Sequence, residues 1–91
     1  MSQRLEALKV ANEVRFAAAD LKQDVRAGRV LLGDALFDER ANPIVLRTLL
    51  LVRAGEGPYR VDKLLRRLDV NGHRRIGDLT DRQLRVVADA A

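Results

Sequence analysis

The stretch RAGEGPYRVDKLLRRLDVNGHRR, residues 53 to 75, decides how this chain folds. Glycines and a proline gather at its start, Asn71-Gly72 stand near its end, and between them Val61, Leu64, Leu65 and Leu68 recur at helical spacing. That spacing puts the four on one helix face and turns Arg60, Lys63, Arg66 and Arg67 mainly elsewhere. Pro58 suits the first helical turn, where its missing N–H has no partner, while Gly55 and Gly57 can take backbone conformations closed to other residues. Asn71-Gly72 is expected to close the helix. The stretch reads as a turn, a helix and a second turn.

Outward from it, both flanks are helical. On the C-terminal side Arg74 and Arg75 lie in the second turn, Ile76 is a single apolar peg, and Thr80 with Gln83 forms a capping box ahead of Leu84, Val87 and Ala88. On the N-terminal side Ile44, Leu46, Leu49, Leu50 and Val52 mark a heavily apolar helix, with Asn42 expected as its N-cap and Pro43 in its first helical position. LLGDALFD, residues 31 to 38, reads as a short helix with Leu32, Leu36 and Phe37 inward, followed by a turn at Glu39 to Asn42.

From Gln3 to Ala27 there is neither Gly nor Pro, and Ala7, Ala11, Val14, Ala18, Leu21 and Val25 alternate steps of four and three. This is a long helical seam, with Gly28 as its stop. It suits an intramolecular core or a dimer contact, and a monomer is the favoured expectation. The whole is all-α with about five helices: a long N-terminal helix over residues 1–30 and a compact helical part over residues 31–91, forming one structural unit.

Composition sets limits. A chain of 91 residues holds one small core. With no cysteine it has no disulfide and no thiolate ligand or nucleophile, and with 3% aromatics its core must rest on Leu, Val and Ala. No apolar run is long enough to span a membrane, and Met-Ser-Gln-Arg-Leu-Glu carries charge where a signal peptide needs apolar residues, so a soluble cytoplasmic protein is expected. The net charge of +4 lies in the second half: residues 46–91 hold ten Lys/Arg against six Asp/Glu, and residues 1–45 hold seven of each. Such an excess favours polyanionic partners.

The inventory for catalysis is thin. The one histidine, His73, is read as a surface turn residue, and Asp62, Asp69, Asp78 and Asp81 as salt-bridging or helix-starting carboxylates. No catalytic residue, metal or cofactor is expected. Phosphate binding asks for less, namely backbone amides at a helix start, glycines and fixed cations. Gly55 to Arg60 offers these, although the same residues make an ordinary turn and Glu56 would repel a phosphate. On the long helix Arg4, Arg15, Lys22 and Arg26, joined by Arg29 if the helix persists one more turn past Gly28, fall in one sector and Glu6, Glu13, Asp20 and Asp24 in another. That segregation serves either a solvated surface or a nucleic-acid contact. Tyr59 is expected to be packed with its hydroxyl near solvent, and the shortage of aromatics argues against single-strand binding as the main task.

The second half, LLLVRAGEGPYRVDKLLRRLDVNGHRRIGDLTDRQLRVV, resembles the helix-two-turns-helix module of a small ribosomal-subunit protein and of some base-excision glycosylases. EALKVANEVRFAAADLK, DVRAGRVLLGDALFD, the glycine hairpin and HRRIGDLTDRQ, in that order and over about residues 4 to 90, are similar to the actinobacterial type of integration host factor, which also occurs in phages. The resemblance implies a non-enzymatic, nucleoid-associated protein that binds duplex DNA with low sequence specificity, bends or compacts it, and assists phage integrase in site-specific recombination. It places DNA contacts at Arg74 and Arg75, at the hairpin amides of Gly55 and Gly57, and at the cation Arg60; Lys63 and Arg82 are expected to add to them. A second surface is expected on Arg15, Lys22, Arg26 and Arg29. Three positions depart from the family pattern: Gly77 replaces an arginine, Ala54 a proline and Asp69 a glycine. The competing expectations are a helical protein-interaction module and a ribosome-associated RNA binder.

Overall fold

The structure is a computed structural model that describes residues 3–53 and 57–90, the side chains of residues 3–7 excepted. Among these residues the fold is all-α. Five α-helices follow one another: α1 (Gln3–Arg26), α2 (Leu32–Ala35), α3 (Leu46–Val52), α4 (Pro58–Leu68) and α5 (Asp81–Ala90). Short 3-10 turns at Glu39–Ala41 and Ile76–Asp78 join α2 to α3 and α4 to α5.

Among the described residues the buried side chains form one core. Leu21 and Val25 of α1, Leu36, Leu46, Leu49 and Leu50, Val61 and Leu65 of α4, Ile76, and Leu84 and Val87 of α5 are all buried in a single cluster. Burial of leucine and valine side chains drives its assembly, at roughly 1.5–3 kcal/mol for each fully buried residue. The peg Ile76 is 1% exposed, so the second turn is pinned to the core between its two helices.

The seam of α1 enters this core only in part. Ala18, Leu21 and Val25 are buried, but Ala11 and Val14 are exposed, and so is every residue from Leu8 to Phe16; Ala7 and Arg4 lie outside the described side chains. The reason is geometric. A 24-residue helix is about 36 Å long, and the other elements reach only its second half, where the Glu39–Ala41 turn, α2 and α3 pack.

Three helix ends differ from expectation. Asn42-Pro43 does not start α3: Asn42 follows the 3-10 turn, Val45 is extended and caps the helix, and α3 begins at Leu46. Backbone bonds from Leu46 and Arg47 to the second turn, and from Ile76 and Gly77 back to Ile44 and Asn42, fix the chain ahead of α3, an interaction across the chain that outweighs the local proline signal. Asn71-Gly72 does not close α4. The helix ends at Leu68, with Asp69 at φ 56°, ψ 44°. The Asp69 N–H donates to the Arg66 carbonyl at 3.2 Å and the Val70 N–H to the Leu65 carbonyl at 3.0 Å. This is a Schellman end, with buried Val70 over buried Leu65. It places aspartate where glycine is the usual choice, and aspartate tolerates the left-handed region better than most residues. The helix at residues 31–38 is shorter than expected, Leu32–Ala35, and Phe37 is 50% exposed, because the chain turns at Leu36 and Phe37 and aims the ring outward.

Other local readings hold. The Gln83 N–H donates to Thr80 Oγ1 at 3.1 Å, and the Thr80 N–H donates to Gln83 Oε1 at 3.0 Å, which completes the capping box. Pro58 occupies the first turn of α4 after Gly57.

Candidate nucleic-acid interface

The second turn is built by the backbone. The Leu46 N–H donates to the Arg74 carbonyl and the Arg47 N–H to the Gly72 carbonyl, both at 2.9 Å; the Ile76 N–H donates to Ile44 at 2.9 Å and the Gly77 N–H to Asn42 at 3.0 Å. Residues 42–47 and 72–77 thus run antiparallel, with Val45 opposite Arg75. The bonds flank that pair without joining it, the register in which facing side chains lie closest, Cα atoms about 4.5 Å apart. Asn71 Oδ1 accepts from the His73 N–H at 3.0 Å and holds the tip of the turn, where His73 is exposed.

An added Cβ meets close neighbours at both glycines of this turn. A Cβ added at Gly72 would collide with the Leu65 side chain and stand 3.4 Å from Arg47 Cβ. At Gly77 a Cβ would lie 3.0 Å from the Asn42 carbonyl oxygen and 3.1 Å from its Cβ. A side chain at that position requires the Asn42 backbone to give by a few tenths of an ångström.

Val45 faces a second neighbour. Together with Pro43, Ile44 and Thr48 it lines a groove whose other wall is α1, through Val14, Arg15, Ala18 and Lys22. Arg75 therefore stands beside the residue that borders the groove under Arg15 and Lys22. Arg74, Arg75 and Arg15 are exposed and Lys22 is half-buried. No carboxylate lies within ion-pair distance of these four among the described residues.

Other cations are committed to carboxylates. Arg47 Nε donates to Asp62 Oδ1 at 2.8 Å and ties α3 to α4. Arg40 meets Asp38 through two bonds and Asp24 at 3.3 Å. Hydrogen bonds from Arg47 hold the Asp62 carboxyl below the usual carboxylate range, and those from Arg40 do the same for Asp38. Asp24 is lowered first by its bond from Arg29 and then by Arg40.

Arg29 is thereby removed from the expected basic stripe. α1 stops at Arg26; Gly28 takes φ 78°, and the reversal brings Arg29 back onto Asp24 at 2.9 Å. Arg26 continues the face of Lys22 but lines a different cleft, with Arg53, Leu31 and Ala88.

The hairpin residues form a separate group. Gly57 has an ordinary extended backbone, φ −100°, ψ 159°, so its conformation does not require glycine; Gly55 lies outside the described residues. Gly57 and the Arg74-Arg75 turn are at opposite ends of α4, about 16 Å of helix apart. Arg60 and Lys63 line a cleft on the outer side of α4 with Tyr59, Leu64, Arg67 and Ala90. The sequence reading passed over Arg67 as a site residue, although its place seven residues after Arg60 carries the signal. Tyr59, expected to be packed, is 74% exposed, because α4 buries Val61 and Leu65 and its first turn overhangs the core. Arg82 is exposed in the first turn of α5.

Among the described residues no three Asp, Glu or His side chains are grouped to hold a metal, and no helix is long and apolar enough to cross a membrane. Compared with models of protein families, with curated proteins and with solved structures, the chain matches none.

Proposed function

We propose that this protein binds duplex DNA with little sequence preference and bends or compacts it, acting as an architectural factor in the nucleoid and in integrase-mediated recombination. The observation that supports this most is the backbone register that sets Arg75 beside Val45, at the edge of the groove bordered by Arg15 and Lys22. Cations from the second turn and from α1 thus border one surface, and phosphates recognised from two elements at once fix a duplex's path. Affinity comes from counterion release. Binding is therefore strongly salt-dependent, with a non-specific Kd of about 10⁻⁴ to 10⁻⁶ M at physiological salt.

The exposed apolar side chains Leu8, Val10, Val14 and Phe16 of α1 favour a second reading, in which this arm docks onto a protein partner. A mobility-shift salt titration separates the two. Replacing Arg74 and Arg75 by alanine is expected to weaken binding of a short duplex about tenfold and to reduce the magnitude of the salt slope by about two, with folding unchanged. Unaltered duplex binding in the double variant sinks the DNA reading at this turn, and tighter binding to duplex RNA of equal length redirects it to RNA.

A further inference from the structure

The outer cleft of α4 is not part of the surface formed by the second turn and α1, and its chemistry is different. Its cations Arg60, Lys63 and Arg67 follow one another at steps of three and four, so they share a helix face and span about 10 Å. Beside them stands the one tyrosine of the chain, 74% exposed at the start of the same helix. Among the described residues no carboxylate lines the cleft and none of the three cations is within ion-pair distance of one. The other open cleft on α4 contrasts with it, since there Arg47 and Arg66 stand among Asp62 and Asp69.

A large aromatic ring left in water beside a row of cations that have no carboxylate partner among the described residues fits one partner chemistry best. Nucleic acid supplies phosphates for the cations, and an unpaired base supplies a π-face for the ring. A duplex cannot supply that face, because its bases are stacked on each other and show only their edges in the grooves. We infer that the Tyr59–Arg60–Lys63–Arg67 cleft is a binding site for single-stranded nucleic acid, with one base stacked on Tyr59 and the following phosphates along α4. A protein with this site beside a duplex-binding turn prefers duplexes that carry a single-stranded tail.

The inference does not rest on the duplex reading. The chain has no tryptophan and one tyrosine, so tyrosine emission reports on Tyr59 alone. Titration of the natural protein with a short oligothymidylate, corrected for absorption by the strand, is expected to quench that emission, and a blunt duplex of the same length is expected to leave it nearly unchanged. With labelled oligothymidylate followed by anisotropy, Tyr59→Ala and Arg60→Ala/Arg67→Ala are each expected to weaken binding about tenfold, whereas Arg74→Ala/Arg75→Ala leaves it within about twofold. Because Tyr59 is largely exposed, the natural fold is expected in Tyr59→Ala, and circular dichroism checks it. Absence of quenching, an unaltered affinity in Tyr59→Ala, or equal loss in the Arg74/Arg75 variant each overturns the site. So does poly-glutamate binding as tightly as the strand, which reassigns the cleft to acidic peptides. Failure of duplex binding with Tyr59-dependent capture of the strand overturns the function proposed above and leaves this site standing.

Discussion

Arg47 and Arg75 stand on the two facing segments of one backbone seam, and their guanidinium groups do opposite work. Arg47 is half-buried and joined to Asp62, so its charge holds α3 against α4. Arg75 is exposed, has no carboxylate within ion-pair distance among the described residues, and stands opposite Val45, which borders the α1 groove. Two arginines of equal formal charge therefore differ in what they offer a partner. Net charge of +4 says nothing of that difference; the placement of Asp24, Asp38 and Asp62 does.

The comparison breaks most completely if the seam itself fails. Gly72→Ala forces a methyl group into the Leu65 side chain at the point where the Arg47 N–H meets the Gly72 carbonyl. Overpacking of this kind costs about 1–3 kcal/mol. Urea unfolding is expected to show that loss, and duplex binding is expected to fall with it, because Arg74 and Arg75 lose the pairing that positions them. Full stability in Gly72→Ala shows that the turn gives way without cost and that its rigidity is not what aligns the two arginines.

The two arginine classes are then separated directly. Arg74→Ala/Arg75→Ala is expected to lower duplex affinity about tenfold at constant stability, whereas Arg47→Ala is expected to lower the unfolding midpoint and leave the salt slope of binding where it was. Equal slopes in both variants remove the distinction between a charge that holds the fold and one that meets a ligand.

A smaller effect comes from the residue that aims the turn. Asp69 adopts a left-handed conformation that costs an ordinary L-residue roughly 1–2 kcal/mol and aspartate somewhat less. Asp69→Gly is expected to stabilise the protein by up to about 1 kcal/mol, measured by urea unfolding, with no change in Arg75 register or duplex affinity. Destabilisation instead means that the aspartate side chain supports the turn beyond its backbone conformation.

What could be read without the structure follows the range of the interaction concerned. The Thr80–Gln83 box, Pro58 at the head of α4 and the inward Val61 and Leu65 depend on neighbours within one or two helical turns, and each is where the spacing placed it. The start of α3 is set from far along the chain, by the carbonyls of Gly72 and Arg74 that accept from the Arg47 and Leu46 N–H groups, which no local pattern shows. The same holds for the surface. Arg74 and Arg75 are visible as a basic pair in a turn, but the proximity of Arg75 to the Arg15–Lys22 wall depends on the Val45 register, which no local pattern announces. Arg29 leaves the stripe for a nearer reason: α1 does not persist past Gly28, and the reversal there delivers Arg29 to Asp24.

The smallest expected effect concerns acid. Asp24, Asp38 and Asp62 are each held below the ordinary carboxylate range, chiefly by hydrogen bonds from Arg29, Arg40 and Arg47 respectively. A carboxyl with a folded pKa below its unfolded value binds protons more readily in the unfolded chain, so its contribution is complete above the unfolded pKa and is lost as pH falls through the folded one. The three pairs are partly solvent-accessible, and screening keeps each contribution small. Thermal unfolding is therefore expected to show a nearly level midpoint from neutrality down to about pH 5 and a decline below about pH 4, with the decline shallower in Asp62→Asn than in the natural protein. An unchanged acid limb in Asp62→Asn means that the Arg47 pair adds nothing to folding. Arg47 would then be as available to a phosphate as Arg75, and the contrast between the two sides of the seam would rest on burial alone.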